Sequence, residues 1–215
     1  PISPRLWAKT LARDLKSLGY EECKSEPGVY RKVVNGETVA YITVYVDDCI
    51  VGAKTSELCE QEVEAINKMH PLTRIETRTD ASGTQHFDMC GADIAYNSQK
   101  RTLKISMSNY IDKIMKIYDM EGCRPRSIPG FPERNLYNSK AKPSEFKFKA
   151  AVGALQWLAT TARPDIAHSV NMLARSGANP VNKSMEKCTR LIFRYLAGTR
   201  EVGLEYSPEK EKEIN

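Results

Sequence analysis

The stretch that decides the fold reads Ile42-Thr43-Val44-Tyr45-Val46-Asp47-Asp48-Cys49-Ile50-Val51. Its two halves are rich in β-branched and aromatic residues, which favour strands, and the two aspartates between them indicate a tight turn. Upstream, Asn35-Gly36 separates Val29–Val34 from the β-branched run 38–46. This dipeptide is a strong hairpin signal because both residues accept positive φ. The sequence therefore predicts consecutive antiparallel strands, with Asp47 and Asp48 at the second turn.

Adjacent carboxylates at such a turn suggest a metal site. Their mutual repulsion is unfavourable, and a divalent cation removes that conflict. Mg²⁺ prefers hard carboxylate oxygens and keeps positions open for phosphate and water, while strands on both sides would hold the pair rigidly. The alternative is a hairpin turn that binds no metal, and from Asp47 and Asp48 alone this alternative is favoured.

Hydrophobic periodicity predicts helices and further strands around this hairpin. Apolar residues recur every three or four positions from Trp7 to Leu18, and Ser3-Pro4 is typical of a helix start. The other elements predicted in this half are a helix at 56–69, strands at 72–78, 85–96 and 102–106, and a helix at 108–119. With the first helix at 4–18, this part of the chain is predicted to be a mixed α+β unit.

The second half is predicted to be helical after an irregular connection. Four prolines interrupt residues 122–148, which we interpret as an interdomain linker. Apolar stripes then indicate three helices, carried by Phe148 to Ala159, Ile166 to Leu173 and Met185 to Tyr195. A short strand is expected at 203–206, and residues 207–215 are expected to fray. Trp7 and Trp157 are expected in the core.

Composition excludes several classes of protein. The 215 residues are 41% hydrophobic and 27% charged, so the chain can bury a core and is not globally disordered. No apolar run is long enough to span a membrane. Six cysteines without a Cys-x-x-Cys pair are expected to be free thiols in a reducing compartment.

Charge is distributed unevenly along the chain. Residues 1–96 carry 11 Lys and Arg against 15 Asp and Glu, a net of −4. Residues 97–149 carry 12 against 5, a net of +7. The basic middle indicates a polyanion partner or, with equal weight on charge alone, a solvated basic face.

The hairpin motif and five further segments resemble one family. Tyr45-Val46-Asp47-Asp48 resembles the active-site signature of reverse transcriptases, and the other segments resemble the copia-type long-terminal-repeat retrotransposon branch. In chain order they are Ser3-Pro4-Arg5-Leu6-Trp7, Asn109-Tyr110-Ile111-Asp112-Lys113-Ile114, Val152-Gly153-Ala154-Leu155-Gln156-Trp157-Leu158-Ala159, Arg163-Pro164-Asp165-Ile166 and Arg194-Tyr195-Leu196-Ala197-Gly198-Thr199. The resemblance covers nearly the whole chain.

The resemblance implies an α+β fold: a partial polymerase palm, with an antiparallel sheet and packed helices, followed by a mostly helical thumb and connection. The implied divisions are a partial palm at 1–106, a thumb helix and proline-containing connection at 107–149, a helical connection region at 150–206 and a frayed tail at 207–215. The fingers, the first catalytic Asp and the ribonuclease H domain of the family are not matched by any segment.

The resemblance also implies residue roles. Asp47 and Asp48 would be catalytic carboxylates that hold metal, with Asp47 the direct ligand, and two Mg²⁺ ions, or Mn²⁺, would serve nucleotidyl transfer in the intact enzyme. Tyr45 and Val46 would lie beneath the primer end or the templating pair. A primer-grip turn would use Met89, Cys90 and Gly91. A basic surface for template–primer phosphates would use Lys100, Arg101, Lys104, Lys113 and Lys116.

The implied function is that of a fragment of an RNA-directed DNA polymerase, inactive in isolation because its third metal-binding Asp is missing. Its partners would be an RNA template, a DNA primer, deoxynucleoside triphosphates and the remaining polyprotein domains, namely fingers, ribonuclease H and integrase, with no membrane. Its location would be intracellular, in a cytoplasmic virus-like particle or in the nucleus. Two alternatives remain: a non-catalytic nucleic-acid-binding or structural remnant of a degenerate or domesticated element, and a protein-interaction scaffold with an inert Asp-Asp turn.

Overall fold

The computed structural model describes residues 4–137 and 140–212. Contacts divide the chain into two compact units, unit 1 from Pro1 to Ile75 and unit 2 from Glu76 to Asn215. Each unit combines helices with an antiparallel sheet, which confirms the predicted α+β class. The divisions implied at residues 106 and 149 do not coincide with the boundary between the units. Ser3, expected to cap the first helix, lies outside the described residues.

Unit 1 is a four-stranded antiparallel sheet with two helices on one face. Its elements are α1 (Pro4–Ser17), β1 (Tyr20–Glu22), β2 (Val29–Val34), β3 (Glu37–Tyr45), β4 (Asp48–Ala53) and α2 (Ser56–Asn67), and the strand order is β1-β2-β3-β4. Both helices and the consecutive hairpins agree with the sequence predictions. The core joins Leu11 and Leu15 of α1 to Ile42 of β3 and Ile66 of α2. The other sheet face leaves the ring of Tyr41 exposed.

A buried carboxylate is neutralised inside this core. Glu62 of α2 is 5% exposed. It accepts a hydrogen bond of 2.9 Å from the Tyr20 hydroxyl and one of 2.7 Å from Lys32 Nζ. Burial, together with the neighbouring Glu62 carboxylate, raises the pKa of Tyr20, so the hydroxyl stays a donor. The two donors explain how a charged residue is accommodated among apolar side chains.

Unit 2 is a five-stranded antiparallel sheet with a helical layer. Its elements are β5 (Arg78–Thr79), β6 (Gln85–Met89), β7 (Ala92–Asn97), β8 (Thr102–Ser106), α3 (Ser108–Ile117), a 3₁₀ turn (Glu133–Asn135), α4 (Phe148–Thr161), a 3₁₀ turn (Pro164–Ile166), α5 (Ala167–Ser176), α6 (Lys183–Gly198), β9 (Leu204–Tyr206) and α7 (Pro208–Lys212). The strand order is β5-β6-β7-β8-β9. The predicted helices of the second half and the strand near 203–206 are confirmed.

The core of unit 2 is formed by α3, α4, α5 and α6 against one face of the sheet. Leu155, Leu173 and Phe193 are fully buried there, and Ile94 and Ile105 of the sheet pack against them. β9 returns to pair with β8 immediately after Gly203. A Cβ at Gly203 would lie 2.2 Å from the carbonyl oxygen of Ile105, so only glycine allows this close approach of the two chains.

Two strand predictions are wrong. In place of a strand at 72–78, only Arg78–Thr79 forms a strand, because this stretch has no buried face; Ile75 is 42% exposed. In place of one strand at 85–96, β6 and β7 form a hairpin that reverses at Cys90 and Gly91. Both turn residues have positive φ, 53° and 79°, which breaks the extended chain.

The interpretation of residues 122–148 as an interdomain linker is also wrong. The segment is irregular as predicted, but it lies within unit 2, where Phe131 and Leu136 are buried in the core. Trp157, predicted as core, is 40% exposed because it lies beside the buried stripe of α4. The tail predicted to fray instead forms α7 up to Lys212. Ser207 Oγ accepts from Lys210 N at 3.3 Å, which caps that helix; residues 213–215 lie outside the described residues.

None of the six cysteines, all of which lie in the described ranges, forms a disulfide, as predicted. None of the helices in the described ranges combines the length and the apolar composition that a membrane-spanning segment requires.

Glu186 of α6 gives unit 2 a pH-dependent stability. Its carboxylate accepts from Ser144 Oγ at 2.6 Å, Lys183 Nζ at 2.9 Å and Arg190 Nε at 3.0 Å. These donors, the Ser144 hydroxyl above all, lower the pKa of Glu186 from 4.5 to about 2. A lowered pKa in the folded state contributes stability that is present above pH 4.5 and is lost as the pH falls towards 2.

We therefore expect Glu186→Gln to flatten the acid dependence of unit 2. At neutral pH the variant should be less stable by about 1 to 2 kcal/mol, and the difference from wild type should vanish towards about pH 2. Urea unfolding followed by Trp157 fluorescence, in a Trp7→Phe background, isolates unit 2. A stability difference between the Glu186→Gln variant and its parent that stays constant from neutral pH down to about pH 2 would contradict this assignment.

Candidate functional site

The candidate site is the hairpin between β3 and β4. Tyr45 pairs with Asp48, so the loop consists of only two residues, Val46 and Asp47. The prediction of a tight turn here is confirmed with one correction: Asp48 is the first residue of β4 and belongs to the strand ladder. Both carboxylates are exposed. Tyr45 and Val46 are also exposed, at 59% and 63%. The four residues of the motif therefore form one accessible tip.

The backbone of the turn is strained and is stabilised by a hydrogen bond from helix α1. Val46 has φ of +56°, a conformation that β-branched residues rarely adopt and that costs on the order of 1 to 3 kcal/mol. Trp7 of α1 donates its indole N–H to the carbonyl oxygen of Val46 over 3.1 Å. A side chain 39 positions away thus fixes the loop that presents Asp47.

A polar cluster supports Trp7. The ring of His70 contacts Trp7 edge to face, with centroids 5.2 Å apart. His70 Nε2 lies 3.1 Å from Asp14 Oδ2, and Arg13 and His70 together lower the pKa of Asp14. The first helix and the segment that follows the second helix therefore meet at Trp7 and orient the indole.

Removing this indole donor should loosen the hairpin. In Trp7→Phe the carbonyl of Val46 loses its partner while an aromatic ring is kept, which we expect to cost about 1 kcal/mol. Hydrogen exchange of the β3 and β4 amides should then accelerate by about fivefold. The matched control Trp157→Phe, in unit 2, should leave these amides unchanged. Equal exchange rates in Trp7→Phe and wild type would refute a positioning role for the indole.

The donor set of the tip suits a hard divalent cation. Carboxylate oxygens are the ligands that Mg²⁺ prefers. The carboxylate of Asp47 forms no hydrogen bond or ion pair with residues 4–137 or 140–212, so it is available. Across those same ranges no three or more His, Cys, Asp and Glu side chains lie close enough to hold a metal ion. The tip therefore fits part of a metal site and leaves the remaining ligands to substrate, water or another segment.

An apolar groove of about 740 Å³ lies beside the tip, within unit 1. Its lining includes Trp7, Leu11, Tyr30 and Val44, together with Asp47 of the tip. A Cβ at Gly28, which has φ of +84°, would lie 3.0 Å from the carbonyl of Val44, so the chain approaches β3 closely there. The turn thus has an open apolar surface on one side.

The predicted primer-grip turn lies in unit 2. Met89 and Cys90 are half-buried and Gly91 is exposed, and they form the reversal between β6 and β7. Asp88 Oδ1 accepts a hydrogen bond from Gly91 N at 3.1 Å, which stabilises the turn. These three residues are brought together as a hairpin tip.

The predicted basic residues are distributed over three places. Lys100 and Arg101 lie in the turn between β7 and β8. Gly91 lies at the other end of β7, and the length of that strand separates the two turns by about 20 Å. Lys104 lies on β8 with its amine 3.7 Å from Glu205. Lys113 and Lys116 are exposed on α3. The structure therefore does not gather the five cations into one patch with Met89, Cys90 and Gly91.

A buried polar cluster, which no sequence pattern predicts, joins the segments 163–166 and 194–199. Arg163 is fully buried and donates to both carboxylate oxygens of Asp165, at 2.9 and 2.8 Å. It also donates to the carbonyl and hydroxyl oxygens of Thr199, at 2.9 and 2.6 Å. Tyr195 donates to Asp165 Oδ2 at 2.7 Å. Pro164 and Asp165 are typical of a helix start, which explains the local turn only; nothing in the spacing signals a partner 36 positions away.

Comparison with known proteins identifies the chain's relatives. The chain is 26% identical over 92% of its length to a Nicotiana tabacum retrovirus-related Pol polyprotein from transposon TNT 1-94, of which it spans 15%. It is 26% identical over 95% of its length to a Saccharomyces cerevisiae protein named for transposon Ty5-1, of which it spans 63%. It is 25% identical over 94% of its length to an Arabidopsis thaliana retrovirus-related Pol polyprotein from transposon RE1, of which it spans 13%.

No solved structure gives a significant match to the chain. Residues 2–132 match the family described as reverse transcriptase, an RNA-dependent DNA polymerase. This match covers the Asp47 hairpin, the β6–β7 turn and α3. The chain belongs to the reverse transcriptase family.

Proposed function

We propose that this chain is part of an RNA-directed DNA polymerase of a copia-type retrotransposon and that Asp47 and Asp48 are its metal-binding carboxylates. The observation that carries the proposal is the two-residue turn, which presents the available carboxylate of Asp47 at an exposed tip in a chain of this family. In this proposal unit 1 contributes palm, and unit 2 contributes the primer grip, thumb and connection.

The chain's own residues would act mainly by positioning. Trp7 and the β3–β4 ladder hold the carboxylates in place, which metal-assisted phosphoryl transfer requires. Tyr45 and Val46, exposed beside them, would support the primer end, and Met89, Cys90 and Gly91 would contact the primer backbone. When bound, Mg²⁺ or Mn²⁺ would activate the primer hydroxyl and stabilise the leaving pyrophosphate.

The proposed partners are an RNA template, a DNA primer, deoxynucleoside triphosphates and the remaining domains of a Pol polyprotein. The other polyprotein domains are proposed because the tobacco and Arabidopsis relatives are named as Pol polyproteins, and the chain spans only a minor part of each. The proposed location is within an intracellular particle or the nucleus. We further propose that the chain is inactive in isolation, because a two-metal site needs a carboxylate beyond Asp47 and Asp48.

A non-catalytic nucleic-acid-binding remnant is the second candidate. It is favoured by the lack, among residues 4–137 and 140–212, of any further ligand grouped with the two aspartates. Under this alternative the hairpin would be a relic, and only binding of nucleic acid would persist.

Primer extension on an RNA template with Mg²⁺ separates the two. It should be run for this chain and for a version that adds the upstream polyprotein segment, here termed the longer chain. We expect extension by the longer chain and none by this chain. A longer chain that binds a primer–template duplex and extends nothing would support the remnant. If neither version binds the duplex at low salt, both proposals fail.

A further inference from the structure

A second groove, within unit 2, has the chemistry of an anion-binding site. It has a volume of about 500 Å³ and lies between the 3₁₀ turn at Glu133–Asn135 and helix α6. Arg134 and Tyr137 line one side, and Ser184 and Lys187 line the other. None of the described residues that line it carries a carboxylate. None of them is among the residues that the sequence predicted to bind nucleic acid.

The charges of α6 are divided between two faces. Lys183, Glu186 and Arg190 pair with one another on one face. Ser184, Lys187 and Leu191 recur at helical spacing on the face that lines the groove. Neither Arg134 nor Lys187 has an ion pair with the described part of the chain. The carboxylate of Glu186 therefore pairs with Lys183 and Arg190 and does not neutralise Lys187, so the groove keeps its positive charge.

A further cation, Arg126, acts on the thiol of Cys188, one of the residues that line the groove. Cys188, which lines the groove, is buried, and burial raises the pKa of its thiol to about 11 against the opposing effect of Lys187 and Arg126. The Nη1 nitrogen of Arg126 is buried and has no hydrogen-bond partner among the described residues. A guanidinium nitrogen without a partner is unusual in a folded protein and indicates a missing acceptor nearby.

We propose that this groove binds the phosphodiester backbone of a nucleic-acid strand. Arg134 and Lys187 neutralise a phosphate, and the exposed ring of Tyr137 contacts the neighbouring sugar or base. Positive charge interleaved with an aromatic ring is the pattern of sequence-independent nucleic-acid binding. The proposal rests on the proposed function for the identity of the polyanion.

The test compares two double variants of this chain for binding of a labelled RNA–DNA hybrid by fluorescence anisotropy at several salt concentrations. Arg134→Gln with Lys187→Gln should weaken binding on the order of tenfold. It should also reduce the slope of log affinity against log salt by about 2. The matched control, Lys149→Gln with Arg175→Gln, removes the same charge from exposed positions of α4 and α5. It should change affinity by less than about twofold.

Tyr137→Ala gives an independent readout, because it should weaken binding without changing the salt slope. Equal losses in the two double variants would overturn the proposal. A second measurement follows the binding of inorganic phosphate by its ³¹P resonance. The proposal would also be overturned if Arg134→Gln with Lys187→Gln lost the phosphate binding of wild type but bound the hybrid as tightly as wild type, because the groove would then be a site for free phosphate only. Primer extension by the longer chain is a separate result. The groove proposal can fail while extension succeeds, and it stands if extension fails but the groove variant loses hybrid binding.

Discussion

Asp47→Asn in the longer chain should lower the rate of Mg²⁺-dependent nucleotide incorporation by on the order of a thousandfold or more. The amide keeps the size of the side chain and removes the charge that would hold the cation. Because Asp47 makes no hydrogen bond or ion pair with the described residues, this substitution removes no contact that stabilises unit 1. The loss should therefore appear in single-turnover incorporation and not in the free energy of unfolding.

The control for this variant is Glu64→Gln, which neutralises an exposed carboxylate on α2 of the same unit. It should retain nearly full incorporation. Asp48→Asn should also lose most of its nucleotide incorporation. Because Asp48 lies in the β3–β4 ladder, the free energy of unfolding of this variant should be measured as well. Incorporation by Asp47→Asn within about tenfold of wild type would show that Asp47 is not a metal ligand in the reaction.

Arg163→Met should destabilise unit 2 by about 3 to 5 kcal/mol. Methionine fills much of the same volume but removes every hydrogen bond of the buried guanidinium. Among the described residues, the carboxylate of Asp165 would keep only Tyr195 as a side-chain donor, and the oxygens of Thr199 would lose the donor Arg163. Breaking one partner of a buried pair is costly because the other is left uncompensated.

Urea unfolding followed by Trp157 fluorescence in the Trp7→Phe background measures this loss. Arg175→Met, an exposed position on α5, should stay within about 0.5 kcal/mol of the parent. Arg163→Lys should recover only part of the stability, because an ammonium group cannot bind both oxygens of Asp165 in the same plane. A free energy of unfolding for Arg163→Met within about 1 kcal/mol of the parent would contradict the assignment. It would show that the Arg163 cluster does not hold the start of α5 to the end of α6.

Much of the fold was predictable because its signals are local. The turn at Asn35-Gly36, the β-branched runs on either side of Asp47 and the apolar stripe of α6 are each confined to a short stretch of chain. Helix α6, for example, buries Met185, Cys188 and Ile192 on the face that its pattern marks. The tip that presents Asp47 was therefore predicted nearly in full, with Asp48 misplaced by one position into the turn.

The remainder depends on contacts that local pattern does not encode. Trp7 reaches Val46 over 39 positions and Arg163 reaches Thr199 over 36. The segment at 72–78 contains residues that favour strands but forms a strand only at its end, Arg78, and residues 122–148 look like a linker but bury Phe131 and Leu136. In each case the outcome is decided by which surface the segment meets, and that surface lies far away in sequence.

The most direct test of the central claim is anomalous diffraction from Mn²⁺ in crystals of the longer chain with an RNA–DNA primer–template and an incoming nucleotide. We predict an anomalous peak at the tip of the β3–β4 hairpin, within coordination distance of the Asp47 carboxylate and of the nucleotide phosphates. A well-ordered primer end and nucleotide with the manganese ions bound elsewhere, and none at Asp47, would contradict the account.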